Sequence, residues 1–126
     1  MGAMSVTLIV LVAVFFALMG LYGLARPEQL VAPFGMAADR VDARSEVRAV
    51  YGGFGIAVAA VLGLAAADIG DIRFGACVAV GAALTGMAFG RLVSAVIERP
   101  RTFYPVWFYF LVELVLAGLL FVAAWL

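Results

Sequence analysis

Lysine, histidine and asparagine are absent from the 126 residues, and all eight basic residues are arginine. Without histidine there is no imidazole to act as a general base, a haem ligand or a metal ligand. The one cysteine, Cys77, forms neither an internal disulfide nor a cysteine-based zinc site, and its apolar neighbours mark it as a small buried hydrophobe. Charge is scarce as well. Only 13% of the chain is charged, about half the share of an ordinary soluble domain. The eight arginines balance eight acids, so net charge points to no polyanionic partner, and no nucleic acid is expected. Phosphate-loop, nucleophile-elbow and zinc-protease signatures are missing too. Neither a cofactor nor a metal is implied, and any catalysis would rest on Arg, Glu, Tyr and water. The first residues lack the basic start and the small-residue cleavage site of a signal peptide.

What the chain has in excess is apolar surface. Hydrophobic residues make up 67% of it, and the mean hydropathy is +1.20. A soluble domain this small cannot bury so much, because small folds leave much of their surface wet. The expectation is an all-α integral membrane protein, a single domain of four transmembrane helices packed as an antiparallel bundle. A crossing needs about 20 apolar residues. Four stretches qualify, at 6–24, 45–67, 74–97 and 105–126. Arg26-Pro27 stops the first and Pro100 the third, while Pro105 suits the first turn of the fourth. Asp42 or Ser45 is placed to cap the second. The long link, residues 25–44, carries apolar residues between two prolines. It reads either as a segment lying at the membrane interface or as an ordinary loop. Arg26-Pro27 and Arg99-Pro100 echo each other, as a relic of two parallel hairpins or by coincidence.

The links after the first and third spans lie on one side of the membrane. That side holds Arg26, Arg40, Arg44, Arg99 and Arg101, with Arg48 at the adjoining helix start, whereas the other side holds Arg73. The positive-inside rule places both arginine-rich links in the cytoplasm and both termini outside it. The implied location is the bacterial cytoplasmic (inner) membrane.

Small residues let membrane helices approach closely. The second span carries Gly55, Ala59, Gly63 and Ala67 at four-residue spacing, and the third carries Ala82, Gly86, Gly90 and Ser94. These rows predict a tight contact between spans two and three, or a dimerisation face. Charges inside a span are expensive and face a partner or a cavity. Glu46, Arg48, Arg91 and Glu113 all fall in the arginine-rich half, with Tyr51 and Tyr109 on the faces of Arg48 and Glu113. The spacing allows Arg91 to pair with Glu113. With Arg48 added, two positive groups face one negative, which leaves room for an anion such as a lipid phosphate or a carboxylate. The alternative is a satisfied ion-pair network that fixes helix register.

The run Ser45-Glu46-Val47-Arg48-Ala49-Val50-Tyr51-Gly52-Gly53 is distinctive. Together with Gly23-Leu24, Pro27, Phe34-Gly35, Gly90-Arg91-Leu92 and Glu113, it resembles a family of small bacterial four-helix membrane proteins known only as a domain of unknown function. The resemblance covers nearly the whole chain. It implies that Glu46, Arg48, Tyr51, Arg91 and Glu113 occupy family positions, and it supplies no activity. Two readings of function follow. One is a non-enzymatic membrane module in the lipid bilayer, as a homo-oligomer or within a larger membrane complex. The other is a carrier or binding protein for a small amphiphile or anionic lipid, which would stay bound at the Arg/Glu cluster. A lipid-modifying membrane enzyme has no positive feature behind it.

Overall fold

The computed structural model describes residues 2–126. Its helices are α1 (Gly2–Ala25), the short α2 (Pro27–Val31), α3 (Val41–Ala66), α4 (Arg73–Ile97) and α5 (Val106–Trp125). Tight 3-10 turns follow α2 at Ala32–Phe34 and precede α4 at Ile69–Asp71. No strand occurs among the described residues. Helices α1, α3, α4 and α5 are each long and apolar enough to cross a membrane, so the protein is an all-α, multi-pass membrane bundle.

The crossings lie within about a turn of the expected spans. Helix α1 is already formed at Gly2, and its first turn is held against α5: the buried Ser5 hydroxyl donates to the Ala123 carbonyl at 3.1 Å. Helix α3 starts at Val41, before either expected cap. Its N-cap is Arg40, which makes no side-chain cap bond, and Asp42 instead lies in the first turn, where a carboxylate complements the helix dipole. Pro105 is the residue before α5 and not its first helical residue.

Helix α1 packs along α3, and α4 along α5; lesser contacts of α1 with α5 and of α3 with α4 close the ring. The core is built from Ile9, Val12 and Phe16 of α1, Leu62 of α3, Leu84 of α4 and Leu120 of α5. Cys77 is buried in it, as a small hydrophobe. Many large apolar side chains point outward, as a lipid-facing surface requires.

The tightest helix contact is not between spans two and three but between α1 and α3. A Cβ added at Gly20 would stand 2.8 Å from the Gly52 carbonyl oxygen, and one at Gly55 would stand 3.0 Å from the Gly20 Cα. Gly23 and Gly52 meet the same way, at 3.0 Å. Gly55 is therefore a packing residue as expected, but its partner is α1. Ala59 is half-buried, while Gly63, Gly86 and Gly90 have nothing within 4 Å of an added Cβ, and Ala82 is exposed. The reason is rotational. A four-residue step overshoots a full turn by about 40°, so a strict four-residue row drifts off any straight contact. The buried line of α4 is Cys77, Gly81, Leu84 and Ala88, stepping four, three and four.

Within α3 the backbone widens into a π-helical turn over Arg48–Gly53. Val47 and Gly52 are both buried, five residues apart, as one π turn requires. The long link also folds. Helix α2 buries Pro27 and Val31, and Val31 packs with Ala38 and Val47. At the other end of the bundle, Arg73 donates from Nε to the Ala65 carbonyl at 3.0 Å and from Nη2 to the Ala66 carbonyl at 2.9 Å, closing the end of α3.

This packing makes the glycines unequal. Gly20→Leu and Gly55→Leu are expected to destabilise the bundle by about 1–3 kcal/mol through overpacking. Gly86→Leu and Gly90→Leu should stay within about 0.5 kcal/mol of the wild type. Thermal unfolding of the four variants in one detergent checks the ordering.

Candidate functional site

Arg91 sits on the buried side of α4, one turn after Ala88, and Glu113 sits on the buried side of α5, one turn before Leu116 and Ala117. Arg91 lies roughly 9 Å from the end of α4 at Ile97, and Glu113 roughly 10 Å from the start of α5, so the two meet at one depth. Arg91 donates from Nε to Glu113 Oε1 at 2.8 Å and from Nη2 to Oε2 at 2.9 Å. This two-pronged geometry is the strong form of an arginine–carboxylate pair. The Glu113 side chain is 6% exposed and that of Arg91 25%.

Two aromatic rings flank the guanidinium. Its Cζ stands 5.5 Å from the centre of the Phe34 ring and 5.7 Å from that of Tyr109, and the two rings are 5.4 Å apart. Tyr109 is one turn before Glu113 on α5, whereas Phe34 arrives from the long link. Gly35 ends the turn at φ +74°, a left-handed conformation that glycine adopts without steric penalty. The link thus places a ring on the arginine that pairs with Glu113. Cation–π attraction of this kind strengthens as the cation is desolvated.

The other expected members lie elsewhere. Arg48 donates from Nε to the Leu24 carbonyl at 3.1 Å and so satisfies the last turn of α1. Glu46 is exposed, and Tyr51 packs against the small cluster of Val31, Ala38 and Val47. The expected grouping of Arg48 and Arg91 around Glu113 therefore does not form. The cause is the unsatisfied end of α1, which offers Arg48 a carbonyl acceptor beside the glycine contact. Phe34 was not among the expected site residues. Its signal in the sequence was the Pro33-Phe34-Gly35 triplet, a turn that delivers an aromatic side chain.

The family model described as Domain of unknown function (DUF4345) matches residues 4–124. The chain belongs to this family. No curated protein and no solved structure matches it. Among the described residues, no group of three acidic, cysteine or histidine side chains is arranged to hold a metal ion. What this family member does carry is a neutral pair in which both carboxylate oxygens are engaged. That arrangement joins α4 to α5 and, through Phe34, ties the long link to both.

Phe34→Ala is expected to lower stability by about 0.5–2 kcal/mol, the range of a partly desolvated cation–π contact. Arg48→Leu, which frees one carbonyl, should cost about 0.5–1.5 kcal/mol. The two changes touch separate partners, so their effects should add in a thermal unfolding series.

Proposed function

We propose that the protein is a non-enzymatic membrane module that acts by associating with other transmembrane helices, as a homo-oligomer or as an accessory subunit of a larger complex. The observation that carries this reading is the outward small-residue face of α4. Gly86 and Gly90, a single four-residue step apart and so on nearly the same face, are both exposed and have open space where a side chain would stand. Small faces of this kind allow close helix approach in lipid, where no hydrophobic force drives association. The state of Glu113, the one buried carboxylate among the described residues, agrees with it. Glu113 is fully committed to Arg91, which suits a fixed structural part better than a proton or substrate relay.

The setting we propose is the bacterial cytoplasmic membrane, with both termini outside the cytoplasm. Arg26, Arg40, Arg99 and Arg101 are exposed at the end of the bundle opposite the termini, which is the arrangement the positive-inside rule associates with the cytoplasm.

Two measurements test this reading. Subunit counting by single-molecule photobleaching in lipid bilayers should give more than one copy for a homo-oligomer, and Gly86→Leu should reduce the count without loss of fold. A monomeric wild type with no stoichiometric co-purifying membrane protein would overturn the association. For orientation, single cysteines at the exposed positions Ala3 and Ala37 are compared in a Cys77→Ala background. A membrane-impermeant thiol reagent on intact cells should label residue 3 and not residue 37; the reverse pattern would invert the topology.

A further inference from the structure

Two surfaces of opposite charge at the arginine-rich end of the bundle have no ionic partner within their own chain. The first is an open groove of about 470 Å³ in the long link. Glu28 and Asp39 line it, with Ala32, Met36, Ala37 and Ala38. Both acidic residues are exposed, and neither is in an ion pair. Arg26 and Arg40 lie close to them in sequence but do not line the groove. The groove is therefore acidic and otherwise apolar.

The second surface is the short link, residues 98–105. Arg99 and Arg101 are exposed there, and neither is in an ion pair. Beside them stands Phe103, 55% exposed. Tyr104, Trp107, Phe108, Tyr109 and Phe110 each meet another aromatic ring, whereas Phe103 meets none among the described residues. Its backbone is nonetheless held. The Phe103 carbonyl accepts from the Trp107 N–H at 3.0 Å and from the Phe108 N–H at 3.2 Å. The link thus presents an unpacked ring beside two guanidinium groups on a fixed backbone, which lowers the ordering cost of docking it.

We propose that the groove receives the short link of a second copy of this chain, with Phe103 against Ala32, Met36 and Ala37, and with Arg99 and Arg101 facing Glu28 and Asp39. This contact rests on the homo-oligomeric form of the proposed function and gives it an interface. Charge and shape both favour this occupant: an acidic apolar groove meets a basic link with an exposed ring. The ring supplies buried contact, and the charges set register and orientation. Both surfaces lie at the end of the bundle opposite the termini, so copies inserted the same way present them at one level. The long link joins α1 to α3 and the short link joins α4 to α5, which are opposite sides of the ring of helices. The contact is therefore head-to-tail, with different surfaces on the two copies.

The test counts subunits of the full chain by single-molecule photobleaching in lipid bilayers. Glu28→Arg with Asp39→Arg, and separately Arg99→Glu with Arg101→Glu, should each raise the monomer fraction several-fold at unchanged helicity, because attraction becomes repulsion. All four changes in one chain exchange the charges of groove and link, and should return the monomer fraction to the wild-type value. Phe103→Ala should raise it again. An oligomer whose count none of these changes moves would overturn the contact and leave the homo-oligomeric reading standing, whereas a monomeric wild type would overturn both. Sensitivity to the acidic pair alone would also overturn the contact, and would point the groove at a different cationic protein. Failure of the four-fold exchange to restore assembly would overturn it as well, since complementary charge would then play no part.

Discussion

One arginine and one glutamate held inside the apolar bundle, in its arginine-rich half, constrain what surrounds them. Either ion alone in hydrocarbon costs about 2.5–3.5 kcal/mol on insertion scales. Together they are neutral, bound at 2.8 and 2.9 Å, and the carboxylate is almost fully enclosed. That requirement fixes how α4 and α5 rotate, because Arg91 and Glu113 must face each other at one depth. It also fixes their slide, since a shift of one residue would separate the prongs of the pair. A hydrophobic replacement of similar volume at both positions is commonly neutral for stability, so the pair is best understood as setting register. Phe34 extends the same constraint to the link between α1 and α3.

The other half of the bundle is held by shape. Gly20 and Gly23 of α1 interlock with Gly52 and Gly55 of α3 at backbone contact distance. The π turn at Arg48–Gly53 brings Gly52 onto the seam. Arginine then seals the ends: Arg48 takes the Leu24 carbonyl, Arg73 takes those of Ala65 and Ala66, and Arg44 takes that of Ala38 at 3.2 Å. A chain without lysine has committed its cations to the side chain whose planar fork meets fixed acceptors with the least loss of freedom. The bundle is thus two hairpins closed by different means, one by glycine contact and one by an ion pair.

The spans and the Arg91–Glu113 pair were legible because they rest on strong one-dimensional signals, namely continuous apolar length and rare charge at matching depth. The packing partners of the glycines were not. Gly63 and Gly86 share the spacing of Gly55, and spacing alone does not say which face meets another helix. Rotation is set by the whole bundle, including a π turn that shifts the register midway along α3. Arg48 was misplaced for a related reason. Its depth was readable, but the open carbonyl at the end of α1 is a property of the folded pair. Phe34 lay in a link whose sequence looked equally like an interfacial segment or a loop, so nothing local connected it to Arg91.

The central claim is that Arg91 and Glu113 act as one unit. A double-mutant cycle on Arg91→Leu, Glu113→Leu and the combined variant, followed by reversible unfolding in a single detergent system, tests it most directly. Each single change strands an ion in the bundle, so each should be strongly destabilising. The combined variant should recover much of the loss, with a coupling energy of about 1–3 kcal/mol. Effects that add within about 0.5 kcal/mol would contradict the account, because the two residues would then be independent and the register of α4 on α5 would need another cause.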